Sequence, residues 1–281
     1  MILYSFFSIM YSKIQNLEIF FEKLLLFGGP YSNLEALMAL KKIAEIKSIS
    51  PQNCICTGDI VGYCAYAEKS VQFIKNWRAR SILGNVEEQL RDEKDDCGCN
   101  FNEGSSCDLL SNQWYPKAKN QVSKNSLEFI ASLPKNIFFE TPCGKKCLVV
   151  HGSSKNISEF IFETDTKRIK EEFLENDVDI IIAGHSGLPF YREFEINKKI
   201  KRWINPGVIG MPANNGKLNT YFGIFDPVTL EYTQHELEYN YLRAAKKMRE
   251  KGFPEGYAKT LSETGFWVSE DILPEGLRGR F

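Results

Sequence analysis

The chain has 281 residues, 43% apolar and 25% charged, enough to bury a full core as one large domain or as a domain with an appendage. A formal charge of −1 gives no electrostatic basis for a nucleic-acid or anionic-membrane partner, and the basic clusters at 198–202 and 246–247 have acidic neighbours and read as solvated faces. Eight cysteines are too sparse for a disulfide scaffold and several sit in strand-like runs, so a reducing cytoplasm is the expected location.

Residues 1–22 begin apolar, but Lys13, Asn16, Glu18 and Glu22 interrupt the run well short of a membrane span, and no basic region precedes it. They read as an extension outside the fold, neither signal nor anchor, with helix as one option. The run LLLF (24–27) is a strand that enters the turn Gly28-Gly29-Pro30-Tyr31-Ser32-Asn33. A helix follows over 33–47, with Leu34, Leu37, Leu40, Ile43 and Ala44 on one face. That turn contains no carboxylate, imidazole or thiol.

The same grammar recurs along the chain. CICT (54–57) precedes Gly58-Asp59, and a helix is expected at about 66–79. SIL (81–83) precedes Gly84-Asn85, and residues 91–112, with Cys97, Cys99 and Cys107, read as a long inserted loop. After a helix at about 122–132, KCLVV (146–150) ends in His151-Gly152; after another at about 166–175, DIIIA (179–183) precedes Gly184-His185. Strands alternating with helices imply a mainly parallel sheet. From 189 to 235 the texture changes to hairpins, FYREFEI, KKIKRWI, NTYFGIF and EYTQHEL, which fits a second, largely antiparallel sheet. Residues 23–238 form the expected main domain. Residues 239–251 read as a helix stopped by Gly252-Phe253-Pro254, and 239–281 as a helical appendage packed on the body.

Ligands in open α/β sheets bind beyond the carboxyl ends of the strands. Asp59, Asn85, His151 and His185 each occupy such an end, so two oxygen and two nitrogen donors converge at one sheet edge. The set suits one borderline divalent transition metal, Mn, Zn or Fe, rather than an all-oxygen calcium site. Taken singly, each residue fits a plain turn or a hydrogen-bonded core position; the third histidine, His235, lies in a hairpin strand and reads as structural.

The ordered set Gly58-Asp59, Gly84-Asn85, His151-Gly152 and Gly184-His185 resembles the calcineurin-like metallophosphoesterases. NLEAL (33–37), GDIVGY (58–63), AGHSGLPF (183–190) and NPGVIGMP (205–212) agree with it, and the likeness covers about residues 23 to 235. The tail, GGPYSNL, GNVEEQL and the DDCGC loop are similar to a bacterial branch. The resemblance implies an α/β fold, a four-layer α/β/β/α sandwich of two mixed β-sheets. It also implies two metals that together activate a bridging hydroxide for in-line attack on phosphorus.

Carried over residue by residue, one metal falls to Asp59, Asn85, His151 and His185, all present. The other site normally takes an Asp and a His from a D-x-H in the first turn and a second His from a G-H-x-H. Those positions hold Gly29, Tyr31 and Gly187, leaving only the shared Asp59. The family often places a proton-donating His after the asparagine, where this chain has Val86. The resemblance therefore implies a metal-dependent phosphodiesterase or phosphatase with a reduced, mononuclear site. A phosphorylated small molecule or nucleotide would be its substrate, with pyrophosphate-type, nucleotide or aryl esters favoured over alkyl monoesters. The alternative is a catalytically weak or inactive relative that binds a nucleotide or a protein partner. Gly29, Tyr31 and Asn33 are candidate substrate contacts, with Gly28 and Gly29 exposing amides to an anion; Tyr31 could equally plug the space of the missing metal. Glu87 and Glu88 read as a solvated helix start, with a supporting role near Asn85 as the other option. The cysteine loop reads as a metal ligand set, a lid or a reversible disulfide.

Overall fold

The computed structural model describes residues 14–17, 22–99 and 101–279. Apolar runs that end in glycine turns form its inner strands. A six-stranded sheet has the order β1 (Ile14–Leu17), β5 (Asn136–Glu140), β6 (Lys146–Val149), β7 (Ile180–Ile182), β9 (Lys199–Asn205) and β8 (Phe190–Ile196). A five-stranded sheet has the order β11 (Tyr232–Leu237), β10 (Thr220–Phe225), β2 (Leu24–Phe27), β3 (Cys54–Cys56) and β4 (Arg80–Ser81). Both sheets are mixed: β2, β3 and β4 run parallel, as do β6, β7 and β9, while hairpin partners are antiparallel.

The period of two decides which side each residue faces. Leu24, Leu26 and Ile55 meet Ile137, Val149, Ile180 and Ile182 between the sheets. Leu25 and Phe27 point the other way, into a core shared with α1 (Leu34–Ile46), α2 (Ala67–Trp77) and α7 (Tyr241–Glu250). On the far face, Leu148, Ile181 and Trp203 pack against Ile169 and Phe173 of α6 (Thr166–Asn176). The result is the four-layer helix, sheet, sheet, helix sandwich. A strand such as LLLF, fully buried on both faces, has no alternation to display, and each such leucine contributes about 1.5–3 kcal/mol.

Three expectations need correction, and one strand was not expected. The hairpin region does not make a sheet of its own: β8–β9 extends the first sheet beside β7, and β10–β11 extends the second beside β2. Alternation identifies a strand but not the edge it joins. The stretch 91–112 is loop only as far as Ser105, which caps α4 (Ser106–Lys119) by accepting the Asp108 amide on its hydroxyl; α3 (Asn85–Arg91) precedes the loop. Strand β5 is not among the sequence-read strands; its burial alternates, and the glycine turn Thr141-Pro142-Cys143-Gly144 joins it to β6 as a hairpin. Finally, most of the expectation for 1–22 lies outside the described residues, but Ile14–Leu17 pairs in parallel with β5 and so joins the sheet rather than standing outside the fold. An added strand covers an edge that would otherwise be open.

Candidate metal centre

The turns after β3, β6 and β7 and the start of α3 deliver Asp59, His151, His185 and Asn85 to one buried point, each less than a tenth exposed. Asp59 and His185 both adopt the left-handed backbone region, φ 55° and 52°, an uncommon and strained state for side chains of this size. His151 Nδ1 lies 2.6 Å from the Thr57 carbonyl, which can only accept, so this nitrogen carries the hydrogen. The other ring nitrogen, Nε2, faces Asn85 Oδ1 at 2.9 Å, His185 Nδ1 at 3.1 Å and Asp59 Oδ2 at 3.3 Å. Even a charged His151 could offer one proton to these three acceptors. His185 Nε2 is buried without a hydrogen-bond partner. The donors thus converge with too few protons among them, which is the requirement of a cation. Among the described residues, Asp59, His151 and His185 are the His, Cys, Asp and Glu group whose ligand atoms lie close enough to hold a metal ion.

Electrostatics agrees. Burial opposes a charge on His151, yet the Asp59 carboxylate and the Thr57 carbonyl outweigh it and hold the pKa above the usual histidine value. His185 goes the other way, down to about 3, through burial and then the neighbouring His151. Its neutral ring is a ready ligand.

The carboxylate of Glu87 braces the site from behind. It accepts the backbone amides of Asp59 at 2.7 Å, Val61 at 2.9 Å and Gly84 at 3.0 Å, tying the β3 turn to the start of α3. Glu87 is fully buried, which corrects its reading as a solvated helix start, and burial followed by the Asp59 charge pushes its pKa up to about 7. Glu88 fits the solvated reading, beside Arg91 and Lys135. Asn85 is aimed by its amide, which donates to the Cys97 carbonyl at 2.8 Å and to Cys99 Sγ at 3.3 Å. Gly84 is required where it stands, because a Cβ there would fall on the Asp59 carboxylate. Val86 gives its amide to Asp59 Oδ1 at 3.3 Å, while its buried side chain has no proton to donate.

The opposite side is aromatic. A Cβ on Gly29 would lie 2.6 Å from the Tyr31 ring, and one on Gly187 3.2 Å from the Trp267 ring. Rings therefore fill the space that side chains at those two positions would enter. Most amides of the turn are spent: the N–H groups of Gly28, Tyr31, Ser32 and Asn33 donate to Gly207, Asp59, Ile60 and Pro30 carbonyls, and Gly29, whose amide is not among these donors, does not line the cavity. Asn33 is spent as well, accepting the Ala36 amide as the cap of α1 and donating to the Gly210 carbonyl. Of the three candidate substrate contacts, only Tyr31 lines the cavity that also exposes Asp59 and His185.

The cysteine loop folds onto this cavity. Cys97 and Cys99 are buried free thiols in contact with each other, and Cys99 and Cys107 line the cavity wall. Burial raises the pKa of both Cys99 and Cys107, which disfavours their thiolate forms. His235 lies away from the site, stacked on Phe222 in β11. Sequence reasoning offered a supporting role near Asn85 for Glu87 only as a second option, the one the structure favours, and it missed the tail residues Tyr257 and Trp267 as cavity wall.

The four-layer α/β/β/α sandwich is the fold of a solved metallophosphoesterase. A metallophosphoesterase of Sphaerobacter thermophilus superposes with a TM-score of 0.66 at 21% identity, covering 85% of this chain and 98% of its own. A hypothetical protein of Pyrococcus horikoshii superposes with a TM-score of 0.70 at 20% identity, covering 85% and 97%. In sequence, an uncharacterized protein of Methanocaldococcus jannaschii is 30% identical over 245 residues, or 82% of this chain and 93% of that protein. No family model matches the chain. The chain belongs to one family with this archaeal relative, and its fold is that of the solved metallophosphoesterase. Among the described residues, no helix is long and apolar enough to cross a membrane.

Proposed function

We propose that the protein is a metal-dependent phosphoester hydrolase with one divalent transition ion, held by Asp59, Asn85, His151 and His185. The observation that carries this reading is the buried convergence of Asn85 Oδ1, Asp59 Oδ2 and His185 Nδ1 on His151 Nε2, all within 3.3 Å. When bound, such an ion neutralises charge at a phosphoryl oxygen and acidifies water toward neutral pH.

The chain's own residues do the positioning. Thr57 fixes the His151 tautomer, the Cys97 carbonyl turns Asn85 Oδ1 toward the centre, and Glu87 locks the Asp59 turn. Phe160, its ring centroid 4.1 Å from that of His185, covers the imidazole and excludes water from that side. With Val86 in place of a proton donor, the leaving oxygen must depart as an anion or take its proton from solvent. Esters with acidic leaving groups, aryl esters foremost, are the substrates that tolerate this.

The test is hydrolysis by protein reconstituted in turn with Mn, Zn and Fe, using p-nitrophenyl phosphate and glycerol phosphate. Turnover of the aryl ester at least about tenfold faster is expected, since one pKa-sensitive proton transfer contributes about 100-fold or more. Asp59→Ala should abolish it. Equal rates on the two esters would remove the leaving-group argument, and no turnover with any metal would favour the binding-protein alternative.

A further inference from the structure

The cavity beside the metal centre has an unusual wall for a phosphate site. Six aromatic side chains from five separate segments face it: Tyr31, Tyr63, Phe101, Phe160, and Tyr257 and Trp267 of the tail. Tyr63 sits at the hub, with ring centroids 4.7 Å from Tyr31 and 4.8 Å from Tyr257. Tyr63, Phe101, Phe160 and Trp267 remain only half-buried, so they present ring surface to the cavity that no other part of the described chain covers. Among the described residues, no Lys or Arg lines it, and Asp59 is the one carboxylate.

This combination discriminates by charge. A di- or triphosphate brings two or more negative charges, and sites for such groups supply Arg or Lys forks or helix amides. Here no Lys or Arg lines the wall, the amides of Gly28, Tyr31, Ser32 and Asn33 are internally bonded, and Gly29 lies outside the lining. Burying a multiply charged anion against aromatic rings without cations carries a desolvation cost that nothing in the wall offsets. One divalent ion beside the Asp59 carboxylate, with the Glu87 carboxyl buried behind it, leaves a net charge of at most about +1, which a singly charged ester matches and a polyanion exceeds.

We propose that the ligand of this cavity is a singly charged phosphodiester carrying at least one flat aromatic group, and not a nucleoside polyphosphate or other pyrophosphate-type ester. The proposal rests on the phosphohydrolase reading for the position of the phosphate, and on the aromatic wall for the rest of the ligand. The phosphodiester group sits at the Asp59 and His185 end, with its aromatic substituent against Phe101, Phe160 and Trp267.

Equilibrium binding to the metal-loaded protein tests it, read by calorimetry with diphenyl phosphate, phenyl phosphate and inorganic pyrophosphate. Diphenyl phosphate should bind at least about tenfold more tightly than pyrophosphate, a ratio set by ring contacts of ordinary strength. Phe101→Ala should weaken diphenyl phosphate several-fold and leave pyrophosphate unchanged. Val268→Lys places a cation at an exposed position of the wall and should strengthen phenyl phosphate and pyrophosphate relative to diphenyl phosphate. Tighter binding of pyrophosphate, or no response of diphenyl phosphate to Phe101→Ala in a folded variant, overturns the proposal. Diphenyl phosphate binding by a protein that hydrolyses no ester would retire the hydrolase reading and leave the ligand class standing. Cleavage of pyrophosphate-type bonds with the reverse order of affinities would do the opposite.

Discussion

The two sides of the cavity are built by opposite means. On one side, Asp59, Asn85, His151 and His185 are held by hydrogen bonds, and hardly a polar atom lacks an assigned partner except those aimed at the centre. On the other, where two further ligands of a dinuclear family site would enter, glycines leave room and the Tyr31 and Trp267 rings take it. The first side has its geometry fixed and its charge unsatisfied; the second has its space filled and no charge at all. Substitutions should therefore separate metal binding from stability according to the side they fall on.

The largest effect on stability is expected on the aromatic side. Tyr31→Ala empties a buried ring position and should cost about 3–5 kcal/mol, read by denaturant unfolding, while the folded fraction keeps its metal. A matched loss of metal would mean that the two sides are not independent. On the polar side, Asp59→Ala or His185→Ala should reduce metal affinity by more than about 100-fold, a loss beyond that of removing a supporting residue. Unfolding of the metal-free protein should change far less, since each variant also removes a buried group with unmet partners.

Glu87→Gln distinguishes a brace from a ligand. The amide keeps the shape but turns one N–H pair toward backbone donors, so stability should fall by about 1–3 kcal/mol and metal affinity should weaken by about 10–100-fold without a change in stoichiometry. Metal calorimetry on the folded variant checks both. The smallest effect belongs to Asn33→Ala, which removes the cap of α1 for about 1 kcal/mol and should leave metal and ligand binding alone. Any loss of diphenyl phosphate binding in that variant would return Asn33 to the list of ligand contacts.

What the sequence made legible follows the same division. The four donors could be read because each follows a short apolar run and stands beside glycine, a local pattern that places a side chain at the carboxyl end of a strand. Tyr31, Trp267 and Tyr257 could not be read as one wall, since Tyr31 lies more than two hundred residues before the other two and nothing local joins them. Glu87 was hidden differently: an acid in the first turn of a helix ordinarily faces solvent near the dipole, and only the tertiary approach of the β3 turn buries it. The hairpins show the limit at the level of fold. Alternation in FYREFEI and NTYFGIF marks them as strands, but their sheets are chosen by β7 and β2, whose exposed edges the local pattern does not encode.

The account stands most directly on the number of metal ions the polar side can hold. Protein purified without added metal, then dialysed against a single divalent ion and measured by elemental analysis, should contain about one ion per chain, and Asp59→Ala and His185→Ala should contain none. Two ions per chain would contradict the filling of the second position by Tyr31 and Trp267, and no ion in the unaltered chain would contradict the metal centre itself.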